Sequence, residues 1–252
     1  MPLGNGIRLQ PGPSLDSERC CLFVGVSDVH ATRLDSRTRT RSSFVQSEAS
    51  EGTHGPLSGL DTTFLTFETP SVHMRVAQTA IFDAPAVPGG YEFAKIKEHI
   101  PSRLHLVPPF RRRLVEVPFN LHHPLWVEDP DFDPDYHVRR IGVLAPGALR
   151  GLSELAGRIA PRPLDRSRPL WETYVFEGME NDRIGVITKM HHCAVDGVSR
   201  AELMTNLFDL SAEGEDMSPP DEREPERVPT DAELIAFALK AGPRTPSSCC
   251  RW

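Results

Sequence analysis

The sequence has few lysines, few cysteines and no long apolar run, and each shortage excludes a class of protein. Lysine occurs at only four of the 252 positions and the formal net charge is -7, whereas a general nucleic-acid binder needs clustered basic side chains to neutralise phosphates. No uninterrupted stretch of about 18 apolar residues is present, so we predict no helix that spans a membrane. The 39% apolar and 25% charged residues are instead typical of a soluble globular protein.

Cysteine usage indicates a reducing compartment. The five cysteines are an odd number and include two adjacent pairs, Cys20-Cys21 and Cys249-Cys250, which is a poor framework for disulfides. The early apolar run over 20–26 is shorter than a usual signal-peptide core and has no basic region leading into it. We therefore expect a cytoplasmic protein.

Composition divides the chain into four segments. Residues 1–55 show no sustained periodicity, and we expect them to be disordered. Residues 56–211 carry the apolar pattern of a folded domain, and residues 212–230 form an acidic, proline-rich linker. Thr230 is a candidate helix N-cap, but the apolar pattern stops after Leu239, so residues 231–252 are interpreted as a truncated helix followed by an aberrant tail.

Apolar spacing predicts alternating strands and helices within the folded segment. The strongest signal is a hairpin of two apolar strands, 171–176 and 184–190, around a turn at 178–182. Residues 126–134 are rich in carboxylates and broken by two prolines, which predicts a loop. The remaining predictions are helices near 60–67, 91–104, 146–159 and 198–210, and strands near 76–82, 114–119 and 136–144.

The segment after the second hairpin strand carries candidate catalytic chemistry. His191 and His192 are followed by Asp196 and Gly197, and a helix is predicted next. Because successive strand residues point to opposite faces, only one of the two imidazoles can face a given pocket. A neutral imidazole can take a proton from a hydroxyl that attacks a carbonyl and return it to the leaving group. Asp196 is suited to brace the turn by pairing with an arginine, and Gly197 to permit a close approach or a positive φ.

These residues carry a resemblance to a known family. The pattern His-His-x-x-x-Asp-Gly over 191–197 is the signature of the coenzyme A-dependent acyltransferase superfamily. Pro169-Leu170-Trp171 is similar to the Pro-Leu-Trp motif of bacterial wax ester synthase/diacylglycerol acyltransferases. The resemblance extends roughly from Pro56 to Leu239. It includes Pro56 to Asp61, Phe64, Glu68-Thr69-Pro70, Trp126 to Asp129 and Asp133 to Val138.

The resemblance implies a fold, a reaction and a set of roles. The fold is α/β: the N-terminal half of a chloramphenicol-acetyltransferase-like domain, with a mixed sheet flanked by helices. The reaction is transfer of a long acyl group from acyl-CoA to diacylglycerol, which forms triacylglycerol, or to a fatty alcohol, which forms a wax ester. Acyl-CoA is then a co-substrate, and neither a cofactor nor a metal is expected. His192 is the general base, His191, Asp196 and Gly197 shape the site, and Pro169, Leu170 and Trp171 line or support the acyl channel.

Two alternatives stay open at this point. Members of the family have a second domain of similar size, and the active-site channel runs between the two domains. The sequence does not show that second half, so an alternative function is that of a truncated, inactive fragment that at most binds acyl-CoA or a partner. Acyl transfer to a non-lipid acceptor is a third hypothesis. Because the substrates partition into lipid, peripheral association with the inner membrane face or with lipid droplets is a further expectation.

Several other residues of types that often serve in active sites are interpreted as structural or are left unassigned. A zinc site is disfavoured, because adjacent histidines point apart and no second ligand cluster is near in sequence. Cys193 is interpreted as a small buried filler rather than a nucleophile, since an apolar neighbourhood would raise its pKa. Trp171 is compatible with an ordinary core position. His122-His123 is interpreted as structural, and Arg111-Arg112-Arg113, which could meet a coenzyme phosphate, is left unassigned.

Overall fold

The computed structural model describes residues 22–25, 31–33, 55–69, 71–86, 90–142, 149–195, 206–207 and 227–242, with the backbone alone for the first two ranges. The helix predicted over 198–210 lies outside these ranges apart from 206–207. The greater part of the predicted linker and the tail beyond residue 242 also lie outside them.

Nine strands and five helices are described. The strands are β1 (Leu22–Gly25), β2 (Ala31–Arg33), β3 (Gly55–Pro56), β4 (Arg75–Asp83), β5 (Arg112–Val115), β6 (Leu125–Glu128), β7 (Val138–Gly142), β8 (Trp171–Met179) and β9 (Arg183–His191). The helices are α1 (Gly59–Phe67), α2 (Phe93–Ser102), α3 (Pro134–His137), α4 (Leu149–Ile159) and α5 (Asp231–Ala241).

The larger sheet has six strands in the order β2-β1-β4-β9-β8-β7. The pair β7-β8 is parallel and the other neighbours are antiparallel, so the sheet is mixed, as predicted. The predicted hairpin forms its centre: β8 and β9 pair from Trp171 opposite Met190 to Met179 opposite Arg183. Asn181 adopts φ 61° in the connecting turn, a left-handed conformation that asparagine tolerates.

Both faces of this sheet are covered. Side chains on one face of the sheet, such as Val175, Val186 and Met190, pack with residues of α2 and the turn that follows it. Side chains on the opposite face, such as Phe176 and Ile187, pack against α4. Burial on both sides explains why apolar residues of β8 and β9 lie on both faces of the sheet instead of on one face only. The fold class predicted from the resemblance, a mixed sheet flanked by helices, is confirmed.

A smaller antiparallel sheet corrects the start of the predicted loop over 126–134, whereas residues 129–133 form neither helix nor strand, as predicted. Strand β6 lies between β3 and β5, and Leu125 and Val127 alternate inward with Trp126 and Glu128. Of the carboxylates in this segment only Glu128 belongs to the strand, at a half-buried position on its outer face.

Two other predicted boundaries were wrong. The strand predicted over 114–119 ends at Val115 because Pro118 has no amide hydrogen and Phe119 adopts φ 58°. The strand predicted over 136–144 begins later, at Val138. Asp133 caps a helical turn through the amide of Asp135, with Pro134 at its first position, and this turn occupies the residues before β7.

The C-terminal helix is longer than the sequence interpretation of a barely started helix. Thr230 is its N-cap, as predicted, and forms a capping box with Glu233. The helix continues to Ala241, and Leu234 and Ala238 pack with β5, β6 and the turn between them. The helix therefore ends two residues after Leu239, at which the apolar pattern stops.

The segment expected to be disordered contains two strands. β1 pairs antiparallel with β4, and β2 pairs with β1. Their backbone groups extend the sheet at the free edge of β4, which explains how short strands form without periodicity over the whole segment. The prediction for the rest of residues 1–55 lies outside the described residues, except Gly55.

Candidate active site

The two adjacent histidines lie where β9 ends. His191 is the last strand residue, and His192 begins a single 3₁₀ turn, His192–Ala194. The amide of His191 donates to the Leu170 carbonyl (3.0 Å), and the amide of His192 donates to the Met74 carbonyl (2.9 Å). Neighbouring strands on both sides therefore hold the backbone of the turn.

The two imidazoles have different environments, as the two-residue period of a strand requires. His191 is 1% exposed. His192 is only partly buried, and its ring stacks on Phe64 of α1 with 5.0 Å between ring centroids and 22° between planes. Of the two rings, that of His192 is the more accessible to solvent.

The tautomer of His191 follows from its hydrogen bonds. Nδ1 accepts from the amide of Cys193 (3.2 Å), so the ring proton of the neutral form lies on Nε2. Nε2 lies 3.6 Å from Oε2 of Glu68. Burial lowers the pKa of His191 to about 4, although the Glu68 carboxylate partly opposes this shift. At neutral pH His191 is therefore an uncharged group next to His192.

Glu68 follows α1 directly and receives two guanidinium groups. Arg75 donates through Nε to Oε1 (2.9 Å), and Arg166 donates through Nη2 to Oε2 (2.8 Å). Burial raises the pKa of Glu68, but these two hydrogen bonds outweigh burial, and the net pKa lies below the ordinary value. Arg75 also donates to the Pro161 carbonyl (2.7 Å). The carboxylate consequently connects the end of α1, the start of β4 and the segment before β8.

A buried ion pair lies on the same face of β9 as His191. Lys189 Nζ is 3.0 Å from Oε2 of Glu172, its cross-strand neighbour, and both side chains are buried. Tyr174 donates to the same carboxylate oxygen (2.7 Å). Lys189 also donates to the Arg162 carbonyl (3.1 Å), after the end of α4. This pair attaches α4 to the strand that presents the two histidines.

The Pro-Leu-Trp segment is buried. Pro169 and Leu170 precede β8, and Trp171, which is 0% exposed, begins it. The Trp171 indole donates to the Phe110 carbonyl (2.8 Å), and its ring stacks on Phe110 and on His137. These contacts position the segment beside β9. Contact of these three residues with an acyl chain stays a prediction.

Cys193 has the environment expected of a filler. It is buried beside Leu57, Leu170 and Ala194, and burial raises the pKa of its thiol well above the ordinary value. Its Sγ lies 2.9 Å from Nδ1 of His191. A thiol held protonated in this way is a poor nucleophile.

Other residues singled out from the sequence lie away from this turn or outside the described ranges. Asp196 and Gly197 lie outside the described residues. His122 packs edge-on against Phe237 of α5. The arginine run pairs with acidic residues: Arg111 lies 2.9 Å from Glu128, and Arg113 lies 3.6 Å from Asp129.

Within the described ranges, no group of three histidine, cysteine or acidic side chains is arranged to hold a metal ion. The expectation of no metal and no cofactor stays a prediction.

Sequence reasoning missed the residues that surround the histidine pair. Phe64 and Glu68 belong to the opening motif but received no role, and Arg75 and Arg166 were not singled out. Arg166 and Glu68 are 98 positions apart, so single-sequence spacing holds no signal for their contact. The signal that was available is that Phe64 lies on the predicted helix and Glu68 at the end of the same helix.

Comparison with known proteins identifies the family. The sequence model of the wax ester synthase/diacylglycerol acyltransferase catalytic domain matches residues 57–245. A Mycobacterium tuberculosis protein named as a candidate diacylglycerol O-acyltransferase is 43% identical over 155 residues, which are 61% of this chain and 31% of that protein. Another from the same organism, named as a candidate enzyme of the same kind, is 36% identical over 183 residues, covering 73% of this chain and 66% of the relative.

Solved structures agree with this assignment. The wax ester synthase/diacylglycerol acyltransferase of Marinobacter aquaeolei superposes with a TM-score of 0.50 at 31% identity, covering 60% of this chain and 37% of that protein. The starter condensation domain of rhizomide synthetase matches in fold alone, with a TM-score of 0.51 at 13% identity over 75% of this chain and 45% of that one. The chain spans only about a third of the length of several curated relatives. The matched region nevertheless covers most of the sequence, and the chain belongs to the wax ester synthase/diacylglycerol acyltransferase family.

Proposed function

We propose that this chain acts in O-acyl transfer, moving a long acyl group from acyl-CoA to the hydroxyl of diacylglycerol or of a fatty alcohol. The observation that carries the proposal is the placement of the histidine pair of the family signature. His192 is partly exposed beside α1, whereas its neighbour His191 is sealed in the protein. A group that must exchange protons with a substrate has to be reachable, and His192 meets that requirement.

The proposed mechanism uses His192 as general base and general acid. A ring nitrogen of His192 takes the proton of the acceptor hydroxyl while its oxygen forms a bond to the thioester carbonyl carbon. The tetrahedral intermediate then breaks its carbon–sulfur bond, and the imidazolium returns the proton to the departing coenzyme A thiolate. No water and no redox step enter the balance. The donors that stabilise the oxyanion are not among the residues assigned from the sequence.

The charge state of the neighbouring residues supports this role. His191 is neutral at physiological pH because burial lowers its pKa to about 4. An adjacent positive charge would oppose protonation of His192 during the reaction, since like charges repel strongly where water is partly excluded. The neutral His191 avoids this penalty, and the Glu68 carboxylate lies nearby at 3.6 Å from the His191 ring.

The surface beside His192 supports a lipid substrate. Leu60 and Phe67 are exposed, and they lie on the same face of α1 as Phe64, at spacings of four and three residues. Such an apolar strip next to the reactive imidazole is suited to hydrocarbon chains. Among the described helices, none has the length and apolar character to cross a membrane. Because the strip is exposed and apolar, peripheral contact with a membrane or a lipid droplet belongs to this proposal.

An acyltransfer assay on the 252-residue chain tests the proposal. Radiolabelled oleoyl-CoA would be incubated with dioleoylglycerol, with hexadecanol or with no acceptor, and products separated by thin-layer chromatography. We expect labelled triacylglycerol or wax ester together with an equal amount of free coenzyme A. A folded sample that forms neither product would overturn the proposal and favour the alternative of an inactive, acyl-CoA-binding fragment.

Co-sedimentation with liposomes tests the peripheral association. The chain would be mixed with liposomes that contain dioleoylglycerol at low salt, and the Phe67→Ser variant would serve as the matched comparison. We expect the wild-type chain to pellet with the vesicles and the variant to pellet less, because Phe67 is 60% exposed on the apolar strip. Wild-type protein that stays in the supernatant would exclude this part of the proposal.

A further inference from the structure

We infer that Phe64 is a positioning residue that sets the orientation of the His192 imidazole for proton transfer. The inference rests on the proposed function, since it assigns a role within that reaction. It starts from the parallel stack of the two rings, with centroids 5.0 Å apart and planes 22° apart. Stacked rings lie within the distances at which aromatic pairs attract each other.

The backbone of His192 is fixed independently of Phe64. Its amide donates to the Met74 carbonyl, and its carbonyl accepts from the amide of Val195 at 3.1 Å. A fixed backbone leaves the side-chain torsions to decide where the ring nitrogens point, and the terminal torsion of histidine is broad. The phenyl ring restricts the range of this torsion angle, because an imidazole turned out of the plane would lose the stacking contact.

Phe64 is itself held in place by α1. The helix begins at an N-cap, where Ser58 accepts from the amide of Asp61 (3.0 Å), and it is followed by Glu68, which two arginines bind. Leu65 is buried and provides the packing of the helix, whereas Phe64 is only partly buried. The phenyl ring is thus presented by an anchored helix and does not form the centre of the core.

The stacked geometry suits a general base. The lone pair and the N–H bonds of imidazole lie in the ring plane, whereas a stacked phenyl ring covers only one π face. Proton transfer to and from substrate can therefore proceed at the ring edge while the stack is kept. The π face of Phe64 also favours the imidazolium that forms transiently, because a cation over an aromatic face is attracted to its quadrupole.

The test compares ring-removing and ring-retaining variants in the 252-residue chain. Phe64→Leu keeps apolar volume without a ring, and Phe64→Tyr keeps the ring. Phe119→Leu removes an exposed ring from the turn between β5 and β6 and serves as the control. Imidazole C–H signals would be recorded by heteronuclear NMR, with His192 assigned from a His192→Gln spectrum. We expect the ring-current shift of His192 to disappear in Phe64→Leu alone.

The kinetic arm separates positioning from mere packing. We expect Phe64→Leu to lower kcat by roughly tenfold or more with little change in KM, and Phe64→Tyr to restore most of the loss, because orientation acts on the chemical step. Phe119→Leu should keep the wild-type kcat with hexadecanol as acceptor. If Phe64→Leu does not fold, Phe64→Met is used in its place.

The two arms keep the outcomes distinct. An unchanged His192 signal in Phe64→Leu overturns the inference, and so does a shifted signal with wild-type kcat. If the wild-type chain forms no ester, the proposed function fails, and the positioning role of Phe64 fails with it. An active wild-type chain with an unaffected Phe64→Leu variant refutes the inference about Phe64 alone.

Discussion

Oε2 of Glu68 lies 3.6 Å from Nε2 of His191, and this contact joins the end of α1 to the strand that presents the histidine pair. His191 is neutral, so the carboxylate is balanced mainly by Arg75 and Arg166. The arrangement places a carboxylate and two guanidinium groups directly behind the turn that carries His192. The turn is therefore supported by charge as well as by the β-sheet.

Removal of the charge on Glu68 should destabilise the fold. Glu68→Gln keeps one acceptor but leaves the buried Arg75 guanidinium, 5% exposed, without its counter-charge. We expect a loss of about 2 to 4 kcal/mol in the free energy of unfolding at pH 7, measured by urea denaturation. The difference from wild type should shrink in acid, since the lowered pKa of Glu68 makes its contribution present at neutral pH and lost as protonation occurs. An unchanged stability would contradict the anchoring role.

The hairpin and the first helices were predictable from the sequence because their signals are local. Apolar residues in β8, β9, α1 and α2 recur at strand or helix spacing over the whole element. Strand β6 was not predictable, because four residues give too short an alternation next to a carboxylate-rich loop, and its partner β3 is about 70 positions away in sequence. Strand formation in that segment depends on its pairing with other strands.

The candidate site was predictable only in part. The histidine pair is contiguous in sequence, and the strand period correctly implied that its members occupy different environments. The contacts of Glu68 with Arg75 and Arg166, and of Phe64 with His192, join residues separated by 7, 98 and 128 positions, and only packing brings them together. The sequence alone therefore predicted the histidine motif, whereas the structure was needed to identify the residues that contact it.

The buried histidines should make the fold sensitive to mild acid. Burial lowers the pKa of His137 to about 4, with the hydrogen bond to the Trp171 carbonyl (2.8 Å) partly opposing the shift. Between pH 6.5 and 4 the unfolded chain binds a proton at this site that the folded chain does not bind, so stability falls as pH falls. His191 acts in the same direction.

Substitution of His137 tests this dependence. Asn at this position can keep a donor to the Trp171 carbonyl but cannot titrate. We expect Tm to fall less steeply between pH 6.5 and 4 in His137→Asn than in wild type. Equal slopes in wild type and His137→Asn would show that this ring does not govern acid sensitivity.

The Lys189–Glu172 pair should show strong coupling. Lys189→Met or Glu172→Met alone leaves a buried charge without its partner at 3.0 Å, and each should cost about 3 to 5 kcal/mol in the free energy of unfolding. The double variant should lose clearly less than the sum of the two. The exposed pair Arg150–Glu154 is the matched control, and Glu154→Gln should change stability by less than about 0.5 kcal/mol. Additive losses at Lys189 and Glu172 would contradict the coupling.

Trp171 separates structural support from substrate contact in the Pro-Leu-Trp segment. Trp171→Phe removes the indole donor and leaves the buried Phe110 carbonyl unpaired, so we expect a loss of about 1 to 3 kcal/mol in the free energy of unfolding. Because the indole is fully buried, activity should follow the folded fraction, and KM for acyl-CoA should stay the same. A raised KM in a fully folded variant would instead indicate contact with the acyl chain.

The most direct measurement is the ester-forming activity of His192→Ala beside His73→Ala, an exposed histidine on the loop before β4. With labelled oleoyl-CoA and either acceptor, His192→Ala should lose activity by roughly 100-fold or more while its circular dichroism spectrum stays that of the wild type. His73→Ala should retain full activity. Near-wild-type formation of triacylglycerol or wax ester by folded His192→Ala would contradict the assignment of His192 as the general base.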